Sequence, residues 1–503
     1  MRIISRYPAL TALVAGGLTP LGFSPFDQFW LPPLTLACLF VLWFEGSIRQ
    51  QIVSALLYGI GLFGVGVSWV YISLHTFGEM PVALAAVCVA GFVLVLASFP
   101  VVAIIGSQLV RVRCPAMRLV LVFPAMWVLA EWLRNNLFTG FSWLEIGYSQ
   151  ASTFVGQWAT VIGIHGVSLL TALSAGLIAA TLLKVSDVRW RWLTPLVLIV
   201  AGGWLVQSVT WTEPTGGPVR AALIQADVPL STKWDFEAAS RVARTHFSLS
   251  QKAGTDVDII VWPESPLPFF IDQMGPGFYD RVISLPAPLL SGFLERRPKV
   301  DGGFDYFNSA ILFTDPPSIY RKRHLVPFGE YTPLEKWFAP IIGYLNIPMS
   351  VLSQWPDWQP PMPIAGHLAA VSICYEDAFP GDIRKAAGQA GFMINISEDA
   401  WFGDSLAPHQ RLQMARFRTI ETGRPMLRTS NTGLAAVIDY QGRVIATSPQ
   451  FVEYVLKGSV QPRTGLTPYV RYADWPVALL LLMMLMTAVL VGGKSMRRLV
   501  VND

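Results

Sequence analysis

Apolar positions divide this chain into two kinds of territory. Long apolar runs with few charges occupy 8–26, 29–45, 52–73, 81–109, 118–134, 160–183 and 192–211, and an eighth lies at 475–492. A hydrocarbon layer roughly 30 Å thick needs about 20 apolar residues in a helix. The pattern therefore predicts about eight transmembrane helices. Pro20, Pro25, Pro32 and Pro33 interrupt the first two runs. The first run, after Arg2 and Arg6, has the outline of a signal peptide, but no small-x-small cleavage site stands out and another apolar run follows at once. It is read as a span.

Between 212 and 474 the pattern shortens. β-branched or apolar runs stand at 219–225, 258–264, 288–293, 307–314, 368–376, 392–399 and 434–445, with helical stretches at 235–253 and 407–423. Such runs between helices predict an α/β layered domain with strands buried on helix-covered faces. Tyr440-Gln441-Gly442-Arg443 marks a hairpin turn. The expected layout is a membrane domain of seven helices over 1–211, an α/β domain over 212–474, an eighth span over 475–492 and a tail over 493–503.

Composition agrees: 53% of the 503 residues are hydrophobic, 14% are charged and the mean hydropathy is +0.46, too apolar for an ordinary soluble protein. Charge adds an orientation. Arg2, Arg6, Arg49, Arg111, Arg113, Arg118, Lys184, Arg189, Arg191, Lys494, Arg497 and Arg498 fall on one side of the predicted spans, and essentially only Arg134 in the opposite short loops. Short cytoplasmic loops accumulate Lys and Arg, so both termini are expected in the cytoplasm and 212–474 outside it. The net charge of +4 is largely this signal and gives no argument for nucleic acid.

Cys38 and Cys88 lie in predicted spans and Cys114 in a cytoplasmic loop, which leaves Cys374 without a disulfide partner in the outer domain. Such a thiol is either buried and inert or reactive. Glu264 closes a strand run, and Lys322 and Cys374 fall at or near strand ends. A cysteine nucleophile, a carboxylate to take its proton and an ammonium to hold an oxyanion are the parts of an acyl-transfer site. Each also has a plain reading as a turn, a solvated face or a core residue. His324 or His409 could instead activate the thiol, although His324 reads better as a structural hydrogen-bonding residue. No metal is implied, since H-E-x-x-H and paired C-x-x-C are missing.

Gly59, Gly61 and Gly64 fit G-x-G-x-x-G but lie inside an apolar span, where small residues serve helix packing. The aromatic, proline-broken stretch 337–363 is expected to form a lid at the lipid interface, carried by Trp355 and Trp358. Glu131 and Arg134 could orient a lipid head group or form an interfacial ion pair.

Trp262-Pro263-Glu264, then Tyr320-x-Lys322-x-His324-Leu-Val-Pro-Phe-Gly-Glu330, then Cys374-Tyr375-Glu376 resemble the nitrilase superfamily in its apolipoprotein N-acyltransferase branch. The resemblance extends to Lys233-Trp234, Asn308-Ser309, Ala400-Trp401-Phe402-Gly403, Gln413-Met414-Ala415-Arg416, Gly423-Arg424-Pro425 and the eight-span layout, essentially the whole chain. It implies a polytopic α-helical membrane protein with an inserted extracytoplasmic α-β-β-α sandwich. It further implies Glu264 as general base, Lys322 as oxyanion stabiliser and Cys374 as acylated nucleophile. Glu330 would hold the lysine, Tyr375 and Glu376 would support the loop, and Trp234 and Trp401 would line the substrate pocket. Implied partners are a phospholipid acyl donor and a diacylglyceryl-modified apolipoprotein acceptor in the bacterial inner membrane, with no cofactor. Asp227 and Glu398 depart from the pattern, where Asn is expected at both positions; they bear on substrate contacts and leave the reaction class alone. A membrane-tethered amidase and a non-catalytic lipid-binding or transport protein are the competing readings.

Overall fold

The computed structural model describes residues 6–185, 190–300, 302–332 and 351–494. The chain forms two compact units. One is helical and comprises Met1–Tyr71, Val82–Thr210 and Arg471–Asp503; the other comprises Ile72–Pro81 and Trp211–Val470.

In the helical unit, Ile48–Gly66, Val82–Leu109, Pro115–Asn136 and Val155–Leu182 are long and apolar enough to cross a membrane. Pro8–Gly22, Leu31–Glu45, Leu193–Gln207 and Trp475–Val491 are shorter apolar helices. Val82–Leu109 is apolar all round and leaves Val87, Leu94 and Val95 exposed, as a helix does whose outer face meets lipid. Two glycines of the 59–64 run are packing devices: a Cβ on Gly59 would stand 2.7 Å from Ala97 Cα, and one on Gly61 would strike the backbone of Leu13 and Gly17, whereas one on Gly64 would meet open space. Glu131 and Arg134 both find local partners. Glu131 accepts from Trp127 and from the backbone N–H of Ile146, while Arg134 donates to the carbonyls of Phe141 and Trp143.

The second unit holds two six-stranded sheets. The first is built from β2 (Val219–Gln225), β3 (Ile259–Val261), β4 (Leu289–Pro298), β5 (Phe304–Leu312), β6 (Ser318–Arg321) and β13 (Tyr454–Val460), in the order β13-β2-β3-β4-β5-β6. The second is built from β7 (Met362–Ile364), β8 (His367–Ile373), β9 (Phe392–Ser397), β10 (Met426–Ser430), β11 (Ala436–Ile438) and β12 (Val444–Thr447), in the order β12-β11-β10-β9-β8-β7. Each has a parallel centre, β2-β3-β4 and β8-β9-β10, with antiparallel strands outside. A short ribbon of β1 (Glu213–Pro214) and β14 (Arg463–Thr464) joins the two ends of the unit.

Side-chain alternation decides the layering. Ala221 and Leu223 of β2 pack with Val371, Ile373, Ile394 and Ile396 of the other sheet. Ala222 and Ile224, one residue on, pack instead with Val242 and Phe247 of the helix Ala239–Gln251. On the second sheet, Ala370 and Met393 meet Ile383, Ala387 and Ala415 of the helices Pro380–Ala387 and Ala407–Thr422. The result is a helix-sheet-sheet-helix sandwich. Ala407–Thr422 starts with Pro408 in its first turn and ends on left-handed Gly423 (φ +63°), favourable residues at both ends.

Candidate active site

In parallel sheets functional groups gather beyond the carboxyl ends of the strands. Glu264 lies three residues past β3, Cys374 directly follows β8, Glu398 and Asp399 follow β9, and Lys322 directly follows β6. The chain turns sharply at both key positions: Ser265, after Glu264, has φ +41°, and Cys374 itself has φ +50°. Left-handed backbone at residues other than glycine is strained and persists where the surroundings enforce it. Gly292 makes room for the first turn, since a Cβ there would stand 2.5 Å from the Ser265 nitrogen and 2.7 Å from Glu264 Cα.

The structure brings Glu264, Lys322, Cys374 and Glu330 together. Lys322 Nζ is 2.8 Å from Glu330 Oε1 and 3.4 Å from Glu264 Oε1. Asn308 Nδ2 bridges the same two carboxylates, donating to Glu264 at 2.6 Å and Glu330 at 3.1 Å. Glu330 also accepts the Val326 N–H at 2.8 Å. Cys374 lies close enough to the Glu264 carboxyl for each group to shift the other's ionisation, and Glu264 Oε2 has no hydrogen-bond partner among the described residues.

Electrostatics follow from this crowding. Burial opposes the charge of Glu264, yet Lys322, Lys233 and Asn308 hold its carboxyl below the ordinary carboxylate range. Burial also opposes the Lys322 ammonium, and Glu264 and Glu330 outweigh it, so the amine stays protonated. Cys374 keeps part of its surface exposed. Burial, with the Glu264 charge adding to it, nevertheless pushes its thiol up to about 12. The resting site is a neutral thiol beside a carboxylate and an ammonium.

Tyr375 and Glu376 occupy the short turn Cys374–Ala378 and are both buried. Glu376 fastens the two strand ends: it accepts the N–H groups of Ile373, Arg323 and His324 and the hydroxyl of Tyr320, so the segments carrying Cys374 and Lys322 share one carboxylate. Tyr375 packs edge-on against Phe379, on which His324 stacks. His324 also faces Asp382 at 3.3 Å, a structural placement.

Trp234 lies against Leu294, Leu325 and Leu352. Its neighbour Lys233 donates to the Glu264 carbonyl at 3.1 Å and pairs with Glu398. The departure at Glu398 thus supplies the counter-charge of a buried lysine. At the other departure, the N–H of left-handed Asp227 (φ +49°) donates to Asn431 O at 3.2 Å. Trp401 stands in the turn Ala400–Phe402, and its carbonyl accepts the Ser73 hydroxyl at 2.8 Å.

Of the expected lid, 337–350 lies outside the described residues. The part from 351 onward is bound to the first sheet: Ser353 N donates to Tyr306 O at 2.7 Å, and Trp355 N donates to Lys322 O at 3.1 Å, with the Arg321 guanidinium 4.5 Å over the Trp355 ring. Trp355 therefore supports the lysine strand, since its backbone and its ring are both engaged there.

Sequence reasoning missed Arg411. It projects from the helix Ala407–Thr422 to within 3.6 Å of Cys374 Sγ, held by Asp377, Asp399 and Ser397. A charged residue in a helix otherwise reads as solvated; a buried one needs partners.

The family profile described as apolipoprotein N-acyltransferase N-terminal domain matches residues 15–177, and the carbon-nitrogen hydrolase profile matches 220–469. The chain is 39% identical to the apolipoprotein N-acyltransferase of Methylococcus capsulatus, over 93% of each protein. It is 38% identical to that of Nitrosomonas europaea, over 97% of this chain and 98% of the other. With that of Pseudomonas aeruginosa the identity is 35%, over 99% and 98%. Near-complete coverage at these identities, with a profile match in each unit, shows that the chain belongs to the apolipoprotein N-acyltransferase family.

Proposed function

We propose that this chain moves a fatty acyl chain from a phospholipid, through a thioester on Cys374, to the α-amine of a diacylglyceryl-cysteine on an apolipoprotein, the last step of lipoprotein maturation. The observation that carries the reading is the convergence of three groups from separate strand ends: the Lys322 ammonium 3.4 Å from the Glu264 carboxylate, and both charges acting on the Cys374 thiol.

A thiol pushed up to about 12 is protonated at neutral pH, so it needs a base at the moment of attack. Glu264 takes the proton as sulfur attacks the ester carbonyl. Lys322 and backbone N–H groups hold the oxyanion. The carbon–oxygen bond breaks, and the lysophospholipid leaves with the proton from Glu264. The α-amine then attacks the thioester and loses a proton to Glu264; the carbon–sulfur bond breaks, and the sulfur recovers the proton. The two lipid substrates need not be bound together. Glu330 and Asn308 position Lys322 and Glu264, Tyr375 and Glu376 fix the nucleophile turn, and Trp234 and Trp401 line the pocket.

The proposed layout is eight spans in the bacterial inner membrane, with both termini cytoplasmic and 212–474 on the periplasmic side. The four long and four shorter apolar helices support it. So does the segment Ile72–Pro81, which belongs to the sandwich unit while the chain on either side belongs to the helical one.

Intact-mass analysis of purified protein incubated with phospholipid tests the reaction. An acyl-sized gain that is absent in Cys374→Ala and removed by neutral hydroxylamine is expected. Wild-type protein that gains no mass while still acylating an apolipoprotein would sink the thioester route.

A further inference from the structure

Three arginines, Arg411, Arg418 and Arg428, are among the largest fully buried side chains of the chain. Arg418 is neutralised by Glu421 at 2.8 Å. Arg411 and Arg428 share two carboxylates: Asp377 lies 3.3 Å from Arg411 and 3.7 Å from Arg428, and Asp399 is bonded to both. Two arginines and two aspartates balance, so the cluster is neutral while the thiol carries its proton. The two arginines differ in their remaining contacts. Arg428 donates to the Leu434 carbonyl at 2.7 Å, whereas Arg411 turns Nη1 toward Cys374 Sγ at 3.6 Å.

The chain places this contact deliberately. Asp377 sits in the turn Cys374–Ala378 that begins with the nucleophile, and Asp399 follows the neighbouring parallel strand. They grip the guanidinium, Nη2 to Asp377 and Nη1 to Asp399, while Ser397 Oγ accepts from Nη2 at 3.0 Å. A planar fork can satisfy two carboxylates, a hydroxyl and a sulfur at once; an ammonium cannot.

We propose that Arg411 is a catalytic residue, stabilising the negative charge on Cys374 sulfur as Lys322 stabilises it on the carbonyl oxygen. The proposal rests on Cys374 being the nucleophile. Sulfur carries that charge twice per cycle, when the thiol loses its proton to Glu264 and when the amine expels it from the thioester. A cation held in place before either event costs no reorganisation, and losing one such donor slows a reaction by about 10²–10³-fold. Both half-reactions therefore depend on Arg411.

The test uses the full-length protein in detergent, with alkylation of Cys374 by iodoacetamide at pH 9 followed by peptide mass. Alkylation reports the thiolate fraction and needs no lipid, so it stands whether or not Cys374 accepts an acyl chain; failure of the acyl-transfer reading would appear separately, as no adduct on wild type. Arg411→Gln and Arg411→His, the second neutral at pH 9, are expected to alkylate at least about tenfold more slowly. Arg411→Lys keeps the charge without the fork and should recover part of the rate, alkylating faster than the neutral variants. In acyl transfer, both thioester formation and its aminolysis should slow in the neutral variants. Arg428→Gln disturbs the same aspartates without a sulfur contact, and its alkylation should stay within about threefold of wild type. Equal alkylation in wild type and Arg411→Gln overturns the proposal, and so does an equal fall in Arg428→Gln, which would make Arg411 a mere member of the cluster. Should Arg411→Gln fail to fold, the His and Lys variants decide: equal rates in those two overturn it.

Discussion

Lys322 Nζ stands nearer to Glu330, at 2.8 Å, than to Glu264, at 3.4 Å. The carboxylate eight residues downstream holds the ammonium, leaving Glu264 the weaker of its two partners and better placed to exchange a proton with Cys374.

Glu330→Gln removes that hold while keeping a side chain of the same shape. Thioester formation is expected to slow by about 10–100-fold, as when an outer partner of a reacting group is lost, with the apparent affinity for phospholipid little changed. Single-turnover acylation at saturating lipid measures it; a change confined to affinity would assign Glu330 to substrate binding.

Replacing Glu264 by Gln separates two roles of one carboxylate. Its charge raises the Cys374 thiol, secondary to burial, so Glu264→Gln should increase alkylation of Cys374 at pH 9 while abolishing acyl transfer. Slower alkylation together with lost transfer would instead place the thiol's activation wholly in Glu264.

Acid sensitivity has a definite sign. The folded Glu264 carboxyl lies below its ordinary 4.5, so its charge, and the stability it contributes, is fully present above the unfolded value and is lost only as pH falls through the lower folded value. Acylation rates should therefore stay flat from pH 7 down to about 5. A midpoint near 6 in the single-turnover pH profile would contradict an ionised Glu264 at rest.

Lys233 and Glu398 form a buried pair behind Glu264. Lys233→Met strands the carboxylate and is expected to destabilise the protein by about 3–5 kcal/mol, while the double change Lys233→Met with Glu398→Gln should restore much of that. Thermal unfolding of the single and double variants gives the comparison; equal losses in both would show that the pair does not act as a unit.

Gly292→Ala probes the close approach of β4 to the turn after Glu264. Its Cβ would stand 2.5 Å from the Ser265 nitrogen, and overpacking of this kind costs about 1–3 kcal/mol. We expect a folded protein with strongly reduced acylation, checked by unfolding and single-turnover rates on the same preparation; full activity would mean that the turn yields without moving the carboxyl.

Local pattern alone revealed a good deal of this protein. Apolar runs near membrane length marked the helices, because length and hydropathy are properties of a contiguous segment. Short β-branched or apolar runs marked β2, β3, β4, β5, β8, β9 and β11, and the candidate Glu, Lys and Cys were visible as chemically apt residues at or near strand ends. β10, Met426–Ser430, and β13, Tyr454–Val460, escaped notice because Arg428 and Lys457 break their apolar character. Arg428 is buried only because Asp377 and Asp399, distant in sequence, neutralise it.

Tertiary structure decided what depends on distant partners. Sheet order, the facing of two sheets across one core, Asn308 bridging Glu264 and Glu330, Lys233 finding Glu398 and Arg411 reaching Cys374 all join residues from separate strands and helices. A single sequence carries the chemical type of each residue and its local period; which charges meet in the interior is settled by packing, where an unpaired buried ion is too costly to persist.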